Sequence, residues 1–347
     1  MKKIRVAIIG VTGYAGEELL RILLNHPAVE IRYLGAKIEK DTPIGEIFPQ
    51  FSSLHLLCHS EIDKEEVLKV ADTIFLALPH GVSLQYVPYF YAGGKTIIDL
   101  SADYRFDSAE IYEKYYIPHT SPQLLKEKVY GLPELYREKI KKSKLIANPG
   151  CYPTGVILGL APAVKEGWIN TESIVVDAKS GVTGAGRSLK PQLLYSEVNE
   201  DFKAYAVGTH RHQPEMEQEI AKLGNGKSRI LFIPHLAPYN RGIFSTIYAD
   251  LKVRVSSEEV WEKYSSFYKE EPFVKVLPPE KFPSVKEVRG TNLCLINVRV
   301  EKRTGKLVIL TVIDNLTKGA SGQAVQNFNL IMGLPETMGL ENLPYLP

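Results

Sequence analysis

The chain has 347 residues, 44% hydrophobic and 24% charged, with a formal net charge of +2. That length accommodates two domains with cores of their own, and the near-neutral charge gives no reason to expect nucleic acid or an anionic membrane as partner. No apolar run reaches the roughly 20 residues that span a bilayer.

The first strand is Ile4-Arg5-Val6-Ala7-Ile8-Ile9, entered directly from Met1-Lys2-Lys3 without a signal-peptide pattern. Gly10-Val11-Thr12-Gly13-Tyr14-Ala15-Gly16 follows, then a helical run from Glu17 to Asn25. Strand, glycine turn and helix in that order form the context of a dinucleotide-binding turn, in which glycines admit a pyrophosphate and the helix N-terminus supplies the field. Gly10, Thr12, Gly13, Tyr14, Ala15 and Gly16 are the candidate contacts. The spacing G-x-x-G-x-x-G is not the commoner G-x-G-x-x-G, and glycine turns also serve tight packing.

After the second strand, Val29 to Gly35, the chain reads Gly35-Ala36-Lys37 where an NAD site wants a carboxylate for the ribose 2′-OH. Lys37 suits a 2′-phosphate instead, which favours NADP; it reads equally as a solvated loop charge. Thr73 to Leu78 and Thr96 to Leu100 continue a parallel sheet. The loops after them place Pro79, His80 and Ser101 toward a cofactor or substrate. His80 reads equally as a satisfied loop histidine.

Asn148-Pro149-Gly150-Cys151-Tyr152-Pro153-Thr154 sets one thiol at a strand-to-helix turn, with Pro153 expected at the first helical position. A helix N-terminus favours thiolate over thiol, so Cys151 is a candidate nucleophile; a small buried hydrophobe is the plainer reading. Cys58, Cys151 and Cys294 show neither metal nor disulfide spacing, which makes the cytoplasm the expected compartment. Cys294 reads as a core residue.

Beyond Cys151 the strands lengthen and alternate: Ser173 to Ala178, Phe244 to Leu251, Asn292 to Val300 and Leu307 to Ile313. The fold class is therefore α/β, a Rossmann-type NADP-binding domain (residues 1–148 with 315–347) plus an α+β catalytic domain (149–314) with a mostly antiparallel or mixed sheet. A helix is expected over Glu258 to Tyr268. Lys179 to Ser188 reads as a flexible glycine-rich loop, with Ser180 and Gly181 facing a cofactor. Gly208-Thr209-His210-Arg211-His212-Gln213-Pro214-Glu215 supplies two imidazoles for a cysteine nucleophile and a guanidinium that suits a substrate carboxylate. No third ligand accompanies His210 and His212, so no metal is expected. After Asp314, the Asn315 carboxamide suits a nicotinamide amide, and a helix is expected to begin near Ala320 and to return to the first domain.

These runs together resemble the N-acetyl-γ-glutamyl-phosphate reductase family, relatives of the aspartate-semialdehyde dehydrogenases. Besides the glycine turn, the cysteine turn and the last motif, Leu100 to Phe106, Tyr130 to Glu134, Ser180 to Gly186, His210 to Glu215, His235 to Pro238 and Arg241-Gly242 carry the likeness. The resemblance implies NADPH-dependent reduction of an acyl phosphate in arginine biosynthesis, through a thioester on Cys151. It implies proton transfer by His212 or His210, with His212 preferred, and Glu215 orienting an imidazole. Arg211 and Arg105 are candidates for the substrate carboxylate or phosphate, and the nicotinamide is expected between the Ser180–Gly186 loop and Asn315. Self-association through the second domain, as a homodimer or homotetramer, is implied too. Reduction of a carrier-linked aminoadipyl phosphate in lysine biosynthesis remains open, since one methylene separates the core substrates; Lys139, Lys141, Lys142 and Lys144 would suit an acidic carrier or simply a solvated helix face. An aspartate-semialdehyde dehydrogenase, or a non-enzymatic NADP-sensing regulator on the same fold, would also account for parts of these motifs.

Overall fold

The computed structural model describes residues 3–224 and 226–345. It divides into two compact units, Met1–Pro149 with Ala320–Glu341 and Gly150–Gly319 with Asn342–Pro347.

In the first unit eight strands form one sheet: β1 (Ile4–Ile9), β2 (Val29–Gly35), β3 (Thr42–Pro43), β4 (Leu57–His59), β5 (Thr73–Leu76), β6 (Thr96–Asp99), β7 (Val129–Tyr130) and β8 (Leu145–Ala147). Their order is β3-β4-β2-β1-β5-β6-β8-β7. All pairs are parallel except β3 with β4. Parallel strands covered on both faces need continuous apolar runs. Ile74, Phe75, Leu76, Ile97 and Ile98 supply them, all fully buried. Order reverses at β1, whose neighbours are β2 and β5, so the crevice that takes a ligand in such sheets opens at the end of β1. The Gly322–Ile331 helix packs on the Tyr14–Leu24 and Pro133–Ile140 helices, so the chain returns to its first unit. β5 and β6 stop at Leu76 and Asp99, short of the expected Leu78 and Leu100, because the next residues turn to form the loops at the sheet's carboxyl edge.

The second unit holds a seven-stranded mixed sheet: β9 (Ile174–Ser180), β10 (Lys203–Ala204), β11 (Ile230–Leu236), β12 (Ile243–Asp250), β13 (Val274–Val276), β14 (Cys294–Glu301) and β15 (Lys306–Ile313). The order is β10-β11-β9-β12-β15-β14-β13. β9 with β11 and β13 with β14 are parallel; the other pairs are antiparallel. Inward residues such as Val176, Ile247 and Ile309 are fully buried. The Cys151–Lys165 helix packs on β12 and β15, and the Gln213–Leu223 and Ser257–Phe267 helices flank it. Gly159 allows that approach: a Cβ there would lie 2.7 Å from Thr311 Cγ2. Among the described residues, no helix is long and apolar enough to cross a membrane.

Candidate active site

In the first unit the glycine turn sits where three strands end. Gly10 N–H donates to Gly35 O at 2.7 Å, tying the turn to β2. Gly10 has φ +96°, and a Cβ on it would lie 2.2 Å from Ala77 O just past β5. A Cβ on Gly16 would lie 2.1 Å from Gly10 O, so this glycine lets the Tyr14–Leu24 helix close on the turn. Gly13 differs: its nearest neighbour would be 3.6 Å away, and as helix N-cap it has no side-chain capping bond. Packing explains Gly10 and Gly16, whereas the space at Gly13, at the N-terminus of the helix, fits a pyrophosphate. The helix begins at Tyr14, not Glu17, which brings Tyr14, Ala15 and Gly16 into its first turn. Thr12 is half-buried beside them, and Lys37 is exposed two residues beyond β2.

Pro79 and His80 are exposed after β5. His80 Nδ1 accepts Ala102 N–H at 3.0 Å and its ring meets Tyr116 edge-on, so this loop histidine is tied to the next loop. Ser101, expected to face the cofactor, is instead 1% exposed; its hydroxyl donates to Asp99 at 2.7 Å and accepts Asp103 N–H at 3.1 Å. Arg105, expected on the substrate, is also turned inward. Its guanidinium donates to Asn148 O and Leu100 O, both at 2.8 Å, and braces the ends of β6 and β8.

In the second unit Cys151 is itself the first residue of the Cys151–Lys165 helix, with Gly150 as N-cap. Pro153, expected there, occupies the third position, which its missing N–H allows because first-turn donors have no intrahelical partner. The thiol thereby sits closer to the positive end of the helix than expected. Cys151 is partly exposed, whereas Cys58 and Cys294 are buried. Burial pushes the Cys58 thiol up to about 11, leaving it unreactive. Gly319 lies against Cys151: a Cβ on it would be 2.9 Å from Cys151 Cβ.

The Gln213–Leu223 helix, with His212 as N-cap, packs on the thiol helix. Glu215 in its first turn is fully buried, and its Oε1 accepts Gly150 N–H at 2.8 Å. This carboxylate, expected to orient an imidazole, thus ties the histidine turn to the residue before Cys151. His210 Nδ1 accepts His212 N–H at 3.1 Å, which fixes the proton of neutral His210 on Nε2. The His210 ring packs among Tyr152, Tyr205, Phe232 and His212, at centroid separations of 5.5, 5.6, 5.2 and 4.9 Å. Burial, then the Arg211 charge, lower His210 to about 4. The His212 ring lies 6.0 Å from that of Tyr152, and Arg211 is exposed between the two histidines. Among the described residues no group of His, Cys, Asp and Glu is placed to hold a metal ion.

Sequence reasoning overlooks two phenols. Tyr152 and Tyr205 share a hydroxyl hydrogen bond of 3.0 Å, and both are raised by burial and, more weakly, by the charge of Cys151, Tyr205 to about 12. Tyr152 is visible in the cysteine turn; Tyr205 has no local signal.

The glycine-rich stretch after β9 is less flexible than expected. Gly181, Val182 and Thr183 donate their N–H groups to Gly242 O, Tyr239 O and Asn240 O at 2.9, 2.9 and 3.1 Å. Only from Gly184 is the backbone exposed. Ser180 is buried, with its hydroxyl on Gly181 O at 3.0 Å. Asn315 clamps the two loops: its Oδ1 accepts Gly242 N–H at 2.7 Å and its Nδ2 donates to Thr183 Oγ1 at 2.9 Å. The carboxamide expected to hold a nicotinamide amide thus bonds Gly242 and Thr183 within its own unit.

Residues 5–143 match the semialdehyde dehydrogenase NAD binding domain, and residues 151–315 the semialdehyde dehydrogenase dimerisation domain. An N-acetyl-gamma-glutamyl-phosphate reductase of Geobacter metallireducens is 50% identical over 345 residues, covering 99% of this chain and 100% of that one. Aspartate semialdehyde dehydrogenase II of Vibrio cholerae has a similar structure, with a TM-score of 0.73 at 18% identity over 96% of this chain and 99% of that one. The aspartate semialdehyde dehydrogenase of Candida albicans, solved with NADP, gives 0.66 at 15% identity over 95% and 99%. The chain belongs to the N-acetyl-gamma-glutamyl-phosphate reductases, within the semialdehyde dehydrogenases.

Proposed function

We propose that this enzyme reduces N-acetyl-γ-glutamyl phosphate to N-acetylglutamate semialdehyde with NADPH, releasing phosphate, as a step of arginine biosynthesis. The observation that carries the reading is the Glu215–Gly150 hydrogen bond of 2.8 Å, which fastens a two-histidine turn to the helix start bearing the partly exposed thiol. The Cys151 thiolate attacks the acyl carbon, the C–O bond to phosphate breaks, and an acyl thioester on Cys151 remains. NADPH, held at Gly13 and by Lys37 at its 2′-phosphate, supplies the hydride when bound. His212 moves the protons, because His210 is packed among rings and held neutral. Arg211, exposed at the same turn, takes the substrate carboxylate.

Cofactor binding and catalysis divide as the chain does, the glycine turn in the first unit and the thiol in the second. The chain works in the cytoplasm as a homodimer or homotetramer, joined through the partly covered face of the second unit's sheet. Half-buried Val175, Tyr248 and Val308 stand side by side in register there, next to Leu231, which is 50% exposed.

The test is Cys151→Ser, assayed for NADP-dependent oxidation of N-acetylglutamate semialdehyde in phosphate, with NADP binding measured separately. Activity is expected to collapse while NADP still binds; full activity would remove the thioester. Comparing acetylglutamyl and carrier-linked aminoadipyl phosphates by kcat/KM decides the substrate. Lys37→Glu is expected to weaken NADP far more than NAD, and equal losses count against the 2′-phosphate role.

A further inference from the structure

Two carboxyl groups beneath the loops after β5 and β6 are unused by the reaction above. Asp99, the last residue of β6, and Asp103 are both fully buried. Asp99 accepts Ser83 Oγ at 2.7 Å, Ser101 Oγ at 2.7 Å and Ser101 N–H at 3.1 Å. Asp103 Oδ1 accepts Gly81 N–H at 2.7 Å and Tyr112 O–H at 2.9 Å, and the Leu84 main chain also faces this buried carboxyl. Ser101 bridges the two residues, since its hydroxyl also accepts Asp103 N–H at 3.1 Å. One carboxyl thus holds Ser83 and the other Gly81, fixing the loop after β5 to the loop after β6.

The groups facing the pair are neutral or weakly placed cations. Tyr104 bonds Ser121 Oγ and Tyr112 bonds Asp103; burial pushes both phenols up. His119 donates Nε2–H to Asp103 O at 2.8 Å and accepts Ser121 N–H on Nδ1, which is the neutral form, and burial lowers it. Glu113 lies beyond, accepting His119 N–H at 2.8 Å. Arg105 points to main-chain carbonyls, and exposed His80 accepts Ala102 N–H. Two buried carboxyls with only neutral donors cannot both stay ionised cheaply. Burial first, and the neighbouring Asp103 charge second, raise Asp99; burial raises Asp103. The Ser83 and Ser101 hydroxyls can rotate, so the oxygen of either can accept a hydrogen bond from a protonated carboxyl.

We propose that Asp99 and Asp103 share one proton in the folded enzyme and are positioning residues whose proton must be kept for tight NADP binding. The inference rests on the cofactor reading above. Loss of the proton adds a buried negative charge under loops at the carboxyl edge of the sheet, where the anionic cofactor binds. Cofactor binding and proton retention therefore favour each other.

Two measurements test it on the full chain. Infrared spectroscopy at about pH 6 is expected to show a protonated carboxylic acid band. That band should disappear in Asp99→Asn or Asp103→Asn; its absence from the wild-type enzyme overturns the shared proton even where neither variant folds. NADP dissociation constants are then followed by fluorescence between about pH 6 and pH 8.5. Titration of the NADP 2′-phosphate is common to both proteins, so the wild type should weaken about 5-fold or more beyond Asp99→Asn. Parallel curves overturn the coupling. Failure of NADP to bind at any pH overturns the cofactor reading instead, and with it the coupling, while the infrared band still decides whether the proton is shared.

Discussion

His210 and His212 are two residues apart yet held differently. Burial and the Arg211 charge lower His210 to about 4, below the ordinary 6.5. A histidine with a lowered value in the folded chain takes its proton more readily once unfolded. Its contribution to stability is therefore complete above about pH 6.5 and is lost as pH falls toward about 4. His210→Gln, whose side-chain oxygen can still accept His212 N–H, should flatten the stability profile over that window by up to about 3 kcal/mol. Chemical denaturation at a series of pH values reads this out, and an unchanged slope would show that the ring is solvated. In turnover, His212→Gln should lower kcat by about 10²–10⁴-fold, the usual worth of a general acid–base group, and His210→Gln by less. The reverse order would exchange the two roles.

At this scale the chain is readable where the chemistry is local. Gly16 and Cys151 announce themselves because each answers to neighbours within a few positions, whereas Gly10 is also set by distant Ala77 O. Motif position alone points Ser101, Arg105 and Asn315 at a ligand; Ser101 instead bonds its near neighbours Asp99 and Asp103, and Arg105 and Asn315 also meet Asn148 O and Gly242 N–H, which are distant in sequence. Tyr205 has no signal at all, since its partner Tyr152 is brought to it by the fold.

The helix that carries the thiol shows how an element is kept intact around an internal breaker. Pro162 lies inside the Cys151–Lys165 helix and has no N–H for Leu158 O, the carbonyl four residues earlier. Tyr268, just after the Ser257–Phe267 helix, donates its hydroxyl to Leu158 O, and Tyr264 donates to Gly159 O at 2.8 Å. Both phenols are buried. A proline inside a helix ordinarily breaks it, and the phenols of the neighbouring helix show how this one is accommodated. Tyr268→Phe keeps the ring and leaves that buried carbonyl without its donor. The expected loss is about 1–3 kcal/mol of unfolding free energy, measured by denaturant titration, with NADP binding by the other unit unchanged. A loss within about 0.5 kcal/mol, typical of a surface change, would mean that water serves the carbonyl instead.

Across the molecule, the two sheets are distinguishable in the sequence by their patterns: continuous apolar strands before Cys151, alternating strands after it. The alternation also carries information about assembly. Parallel β5 is buried along its whole length, but β9 and β12 alternate buried and half-buried residues, so one face of the second sheet is only partly covered. Register places Val175, Tyr248 and Val308 in one row across that face. Leu231 extends the row on β11. Beyond β9, Leu189 and Tyr195 are 88% and 79% exposed. An apolar row on an open sheet is an association surface when the remainder of the chain leaves it partly exposed. A second copy meeting it through a two-fold axis would place the same row against itself. Val308→Arg adds a charge at the centre of the row without touching the thiol helix side of the sheet, where Leu307 and Ile309 point. Sedimentation is expected to give a dimer or tetramer for the wild-type enzyme and a smaller species for Val308→Arg, with the circular dichroism spectrum retained. A wild-type monomer at micromolar concentration, or a variant whose assembly is unchanged, would move the association surface elsewhere on the chain.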